Sequence, residues 1–472
     1  MVKNFFGKIK DKHIFIFYLL LFFGIAAIIA LHQPHMDTPP LYGNPPDEPN
    51  RYLVSRFICR YGRLPNGYDP EIRIPVYGIS YGFYTMLPYM VQGFVMRFVN
   101  LFTDSELLLL YTARFVNVCT GTAMAAVVYG IGGRLFSDRR FKWLFSLLVT
   151  FLPQCLFIHT YVNTDSMALF SAALIVYAWV RAYQEGFTVK TSLILAVGII
   201  ICSLSYYNAY GYILSSIILF IAFYLKKENG RLCYDWRMFL MRGALISGVV
   251  LLGIGWYFIR NAILYQGDLL GLDSLRTSAA LYGNAELIPY NHSYAARGLS
   301  LQTMLQEHQF FKGIFFSFVA AFGSMTVWGG RSLYLFYALL FLLGWMAFFV
   351  VPGEGGMTEL NLRQKLILHI NMIFCILIPI LLCTYYAYSM DYQYQGRYVM
   401  PGVIPFMYFI TAGLKKLAGL KWLPDKWEKT KKVLSIIANV AVYAAMAAII
   451  ILLFRMVFSH ALPVYLQSEG VL

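Results

Sequence analysis

Apolar residues along this chain gather into eleven long runs, at 14–31, 107–135, 142–161, 166–183, 192–207, 210–225, 238–259, 332–351, 366–386, 399–414 and 433–457. A run of roughly 20 apolar residues can cross the hydrocarbon of a bilayer as a helix, which satisfies its own backbone hydrogen bonds where no water can. The pattern predicts an all-α, polytopic membrane protein with about 11 transmembrane helices. The pair of runs around residue 208 is separated only by a short turn at Asn208 and Gly211. The stretch 310–328 reads either as a further span or as a half-helix at the outer interface. Residues 76–102 are aromatic and apolar but too short beyond Pro88 to span, which predicts a helix lying along the membrane surface. No internal repeat, low-complexity tract or soluble insertion interrupts the series, so residues 1–472 read as a single membrane domain.

Charge refines this picture. Only 13% of residues are charged against 59% hydrophobic, about half the charged fraction of a soluble domain. The net charge of +15 sits in short clusters between apolar runs, which encodes orientation in a membrane rather than affinity for nucleic acid. Lys3, Lys8, Lys10 and Lys12 precede an apolar stretch too long for a signal peptide and without a clean small-residue cleavage site, so it reads as an uncleaved first span. With the N-terminus in the cytoplasm and the side alternating at each span, 16 of the 17 lysines fall on the cytoplasmic side and only Lys312 does not. The C-terminus is then outside. The seven cysteines form no CxxC pair and mostly lie in apolar runs, as buried thiols rather than disulfides or zinc ligands.

Two outer segments, 32–106 and 261–309, are too long for simple connections, and long ordered loops tend to carry function. The first holds Asn44-Pro45-Pro46-Asp47-Glu48-Pro49, two adjacent carboxylates between prolines in a stiff extended segment at the water–lipid boundary. Such a carboxylate suits a general base, and equally a solvated acidic turn. Asp165, in the outer turn Tyr161-Val162-Asn163-Thr164-Asp165, brings a second acid to the same face; it also suits an N-cap for the helix that follows. Arg114, Arg260, Arg331 and Arg397 map to outer ends of spans, against the lysine bias. Each needs an anionic partner there, either an acid or headgroup for one alone or, for the set, a phosphate-bearing lipid. Gln395-Gly396-Arg397-Tyr398 with Pro401 and Pro405 opens the tenth span, where Gly396 permits close backbone approach to a ligand. Trp256-Tyr257 with Arg260-Asn261 closes the seventh. Walker A, HExxH and GxSxG motifs are absent, as is a Rossmann-like domain, so any enzyme here takes a membrane-borne substrate.

These pieces resemble the GT-C superfamily of membrane glycosyltransferases, which includes protein O-mannosyltransferases and the aminoarabinose transferases of lipid A. The likeness is strongest in the first outer loop, with Pro46-Asp47-Glu48, Gly62-Arg63-Leu64-Pro65 and the aromatic helix at 77–102. Arg114, Gly133-Arg134-Leu135-Phe136, Asn163-x-Asp165, Trp256-Tyr257-x-x-Arg260-Asn261 and Gly396-Arg397-Tyr398 extend it, and a less characterised bacterial branch of multi-pass proteins shares the same start. The resemblance implies a donor sugar on a polyprenyl phosphate at the outer leaflet and an inverting displacement, with Asp47 as base, Glu48 beside it and Asp165 near the acceptor. It places Arg260 and Arg397 on the departing phosphate, with Tyr398, Arg114 and Arg331 as further donor-phosphate contacts. The acceptor, whether cell-envelope glycan, lipid or protein, is not implied. A divalent cation occurs in parts of the superfamily, but no ligand cluster identifies one here. Where related sequences often carry a histidine after the acidic pair, this chain has Asn50 and Arg51. Two other classes also fit a many-span protein. One is a transporter or flippase of a lipid-linked or anionic substrate. The other is a polysaccharide ligase or polymerase using His292, Arg297 and His308 of the late outer segment.

Overall fold

The computed structural model describes residues 11–35, 44–228, 231–307, 309–357 and 360–468. Lys3, Lys8, Lys10, His308 and the final residues 469–472 lie outside them. In chain order the helices are α1 (Asp11–His32), α2 (Glu48–Tyr61), α3 (Leu87–Val99), α4 (Glu106–Leu135), α5 (Arg139–Thr150), α6 (Pro153–Ile158), α7 (Asp165–Glu185), α8 (Val189–Ser203), α9 (Gly211–Phe223), α10 (Trp236–Leu264), α11 (Leu272–Tyr282), α12 (Leu301–Glu307), α13 (Phe310–Val319), α14 (Arg331–Val350), α15 (Leu362–Ser389), α16 (Val403–Ala418), α17 (Glu428–Arg455) and α18 (Leu462–Ser468).

All eleven apolar runs are helical, and the protein is an all-α membrane protein apart, among the described residues, from two short hairpins, Leu225–Glu228 with Arg231–Tyr234 and Ala321–Phe322 with Val327–Trp328. Seven stretches among the described residues are long and apolar enough to cross a bilayer: α1, α4, α7, α10, α14, α15, and α17 continued through a π-helical turn into α18. The remaining runs form shorter helices. The run at 142–161 breaks into α5 and α6 because Pro153 lacks an amide hydrogen and forces Leu152 into an extended conformation. The stretch at 310–328 is a ten-residue helix followed by a tight hairpin, which is the half-helix reading.

α7 is the hub. Of its apolar window 78% is buried, against 6% for α10, which leaves α10's surface for lipid. α7 packs on α4 and α8, α14 packs on α16, and α9 packs on α15. In the first outer segment, α3 buries Tyr89, Gln92, Gly93 and Met96 and exposes Val91, Phe94, Val95 and Phe98. The aromatic stretch 76–102 predicts such a helix, but only Leu87–Val99 forms it, after turns and a 3-10 helix at Tyr81–Phe83. α3 crosses α2 closely at Gly93, where a methyl group would meet Ile58 at 2.6 Å.

The start of the first outer segment departs from the extended conformation its prolines suggest. Asp47 adopts a left-handed backbone (φ 59°) and α2 begins at Glu48, with Pro49 in its first turn. Proline's missing amide costs nothing in the first turn, so Pro49 starts a helix here. The two outer segments interlock beyond it. Tyr265 OH accepts from the Gly67 amide at 2.9 Å, Ser278 Oγ donates to Gly78 O at 2.7 Å, and the Arg73 guanidinium lies 3.6 Å from the centre of the Tyr282 ring.

Candidate active site

The turn at Asp47 brings one carboxylate to Arg397 and its neighbour to Arg114, deeper in the protein. Glu48 is buried, and both its oxygens are engaged by Arg114: Nε donates to Oε1 at 2.9 Å and Nη2 to Oε2 at 2.6 Å. The Val162 amide adds a bond to Oε1 at 2.8 Å. Arg114 is fully buried and spends its other donors on the carbonyls of Ala30, Gln33 and Pro34. Glu48 and Arg114 thus form a strut joining the end of α1, the start of α2, α4 and the turn before α7. Arg114 spends all five of its N–H donors within this strut, and both oxygens of Glu48 are engaged in it, at the two positions the family resemblance places in the site.

Asp47 faces the other way. Its Oδ2 accepts from Arg397 Nη2 at 2.6 Å and lies 4.0 Å from Arg51 Nη2, one helical turn along α2. Burial alone would raise the Asp47 pKa, but Arg397 and then Arg51 outweigh it and hold the carboxyl below its ordinary range. Arg397 is 3% exposed. It bonds the Tyr398 hydroxyl at 3.2 Å, while its Nε and Nη1 have no hydrogen-bond partner among the described residues. Tyr398 donates to Gln393, whose amide nitrogen donates to Asp391.

Arg51 crosses the site, donating from Nη1 to Tyr89 OH at 3.1 Å and to Thr164 Oγ1 at 2.9 Å, with its guanidinium over the Tyr81 ring. That contact with Thr164 reaches the start of α7 and Asp165. Asp165 is buried, yet neither of its oxygens has a hydrogen-bond partner among the described residues. The capping bond expected of it is made instead by Asn163, whose Oδ1 accepts from the Ser166 amide at 2.9 Å. Asp165 lies within electrostatic reach of Arg397, Arg51 and Asp47. Tyr81, Tyr84, Tyr161 and Tyr206, within electrostatic reach of these charges, and Tyr386, whose ring centre is 6.1 Å from that of Tyr398, make up a phenolic wall beside them.

Gly396 matters for a different reason from ligand approach. A methyl group there would lie 2.1 Å from the Phe318 amide nitrogen, so the glycine lets the Arg397 loop rest on α13. Its amide donates to Ser317 Oγ at 2.8 Å. Pro401 turns the chain ahead of α16 and leaves its carbonyl to accept from Tyr212 OH at 2.6 Å.

Thus Asp47, Asp165, Arg397 and Tyr398 come together, while Arg260 and Arg331 do not join them. Arg260 fastens the two outer segments, donating to Pro65 O at 2.5 Å and Asn261 Oδ1 at 3.3 Å. Arg331 is exposed at the first residue of α14. Arg51 and the tyrosines are the members that sequence reading misses. The signal for Arg51 is its spacing of four from Asp47, visible only once α2 is known to begin at Glu48. Among the described residues no three His, Cys, Asp or Glu side chains gather as metal ligands. The positive charge beside both carboxylates is that of Arg397 and Arg51.

Residues 71–407 match the profile of a family described as predicted membrane protein, DUF2142. The chain belongs to that family. Asp165, Arg397 and Tyr398 lie inside the matched region of this DUF2142 member, and Asp47 and Arg51 precede it. No curated protein matches the chain. Among solved structures, it is similar to the oligosaccharyltransferase of Archaeoglobus fulgidus tethered to an acceptor peptide, with TM-score 0.53, 14% identity, and 93% of this chain and 55% of that one covered. The archaeal oligosaccharyltransferase AglB, also from Archaeoglobus fulgidus, with an inhibitory peptide and a dolichol-phosphate matches at TM-score 0.52 and 14% identity over 96% and 56%. ArnT from Cupriavidus metallidurans bound to undecaprenyl phosphate matches at 0.50 and 12% over 96% and 76%. The chain therefore spans just over half the length of the archaeal enzyme, and the fold is of GT-C type.

Proposed function

We propose that this protein transfers a sugar from a polyprenyl-phosphate donor to an acceptor hydroxyl at the outer face of the membrane, with inversion at the anomeric carbon. The observation that carries this reading is the Asp47–Arg397 pair, a charged carboxylate against a buried guanidinium with two nitrogens unengaged among the described residues. Buried donors without partners are costly, and a phosphate oxygen is the acceptor that arginine's planar fork suits best.

In the reaction, the acceptor oxygen attacks the anomeric carbon as its proton passes to Asp47. The bond from that carbon to the phosphate oxygen breaks, and its electron pair leaves on the polyprenyl phosphate. Arg397, steadied by Tyr398, offsets the charge that develops there. Asp165, buried and unpartnered among the described residues, is placed to accept from the acceptor hydroxyl, while Arg51 holds Thr164 and the Asp165 turn against α2. The phenolic wall offers flat apolar faces with polar edges, which suit a sugar ring. The dolichol-phosphate and undecaprenyl phosphate bound by the two structural neighbours support a lipid-phosphate donor of the same kind.

The test uses purified protein in lipid with a panel of polyprenyl-phosphate sugars, following donor-dependent release of polyprenyl phosphate. Asp47→Asn abolishes turnover with donor binding retained, and Arg397→Ala weakens donor binding. Full turnover by Asp47→Asn would remove Asp47 as the base. Neither turnover nor binding of any donor by the wild type would overturn the reading.

A further inference from the structure

A second polar site lies at the opposite end of α16. That helix starts beside Arg397 and ends at Ala418, so about 24 Å of helix, at a rise of 1.5 Å per residue, separates its two ends. At the far end a cavity of about 270 Å³ opens between the start of α5, the connection after α14 and the end of α16. Its charged lining is Asp138, Arg140, Glu354, Lys415, Lys416 and Lys421. A second cavity, of about 440 Å³, shares Ala418, Gly419 and Lys421 with the first and adds Lys431. The two form one continuous basic hollow.

The acids in it are already matched. Asp138 Oδ2 accepts from Arg140 Nη2 at 2.5 Å, and Glu354 pairs with Lys365 at 3.5 Å. The Lys416 ammonium donates to Phe348 O at 2.6 Å and lies over the Phe348 ring, which leaves its charge uncancelled. Lys415 is half-buried and Lys421 exposed, and neither forms an ion pair among the described residues. Lys415 also lies within electrostatic reach of Asp138 and Glu354, but those carboxylates are shared with Arg140 and Lys365, so the concave site keeps an excess of ammonium charge. A lysine left partly desolvated in this way gains from an anion that brings several acceptors, and phosphate supplies them. A basic pocket between spans at the level of the headgroups is where such a group would be met.

We propose that this hollow binds a phosphate-bearing anion, on the membrane face opposite the candidate active site. The proposal does not rest on the glycosyltransferase reading. The shared chemistry is the phosphate monoanion or dianion, carried by an anionic lipid of the near leaflet or free in solution.

The full-length protein is purified in neutral detergent, and thermal unfolding is followed with phosphatidylglycerol, phosphatidylcholine or inorganic phosphate added, alongside mass spectrometry of retained lipid. Stabilisation by phosphatidylglycerol but not phosphatidylcholine, with retained lipid lost in Lys415→Gln/Lys421→Gln, supports the site with a lipid source. Protection by inorganic phosphate alone, lost in the same variant, supports it with a soluble source. Lys421→Gln by itself, at an exposed side chain, keeps the test valid where the double variant folds poorly. Lys429→Gln/Lys432→Gln removes equal charge from the start of α17, outside the hollow. Equal loss in that control, or no response to either anion in the wild type, overturns the proposal.

Discussion

At Asp47 two forces oppose each other, and their balance makes a prediction. Burial favours the neutral acid, while Arg397 and Arg51 favour the carboxylate and win. A carboxyl held below its ordinary value of about 3.9 stays charged as pH falls through the range where free carboxylates titrate. The acidic limb of kcat/KM in the wild type should therefore not come from Asp47 above about pH 4. Arg397→Gln removes the larger lowering influence and leaves the burial, so the acid limb should move to higher pH; identical profiles for both proteins would show that Asp47 is not the titrating base. Its neighbour differs in kind. Glu48 and Arg114 are one buried ion pair, and removing one partner strands the other. Arg114→Leu should cost about 3–5 kcal/mol of stability, read as a large fall in Tm, whereas Asp47→Asn should unfold near the wild-type temperature. The two adjacent carboxylates look alike in the sequence, because which one turns inward depends on the left-handed backbone at Asp47 and on Arg114, 66 residues away.

At the scale of elements, the site depends on how closely short pieces of chain meet. α13 is too short to span, and its work is to support the Arg397 loop. Gly396 meets it backbone to backbone: a methyl group there would lie 2.1 Å from Phe318 N and 2.4 Å from its Cα. Neither atom can yield as a flexible side chain would. Gly396→Ala should then displace Arg397, lowering donor affinity and Tm together, while Gly24→Ala in α1, which meets nothing within 4 Å, should leave both unchanged. Normal donor affinity in Gly396→Ala would show that the loop's position does not set Arg397. Run length and hydropathy make the long helices legible, because a bilayer imposes one length on every span. The helices that build the site escape the same reading. α2 follows prolines that suggest extended chain, and α13 is as apolar as a span but stops at Val319. The tyrosines of the wall come from separate stretches of sequence; those before α3 meet the one after α8 where the Leu87 amide bonds the Leu204 carbonyl at 3.0 Å.

At the scale of the whole molecule, α16 links two regions of different chemistry, with Asp47 and Arg397 at one end and the lysine hollow at the other. If the lysine bias sets orientation, the first faces outward and the second the cytoplasm. The proposed donor chemistry depends on that direction, since the sugar must be presented on the leaflet that Asp47 faces. Native and introduced thiols can report it. Cys233 is exposed in the hairpin between α9 and α10, and Glu286 is exposed in the second outer segment. Cys119 is also exposed but lies midway along the membrane-spanning α4, where a water-borne, impermeant reagent does not reach, so it should stay silent. In intact cells a membrane-impermeant maleimide should label Glu286→Cys and reach Cys233 only after the membrane is opened. The reverse pattern would turn Asp47 toward the cytoplasm and require a donor on the inner leaflet, even with the site's geometry unchanged.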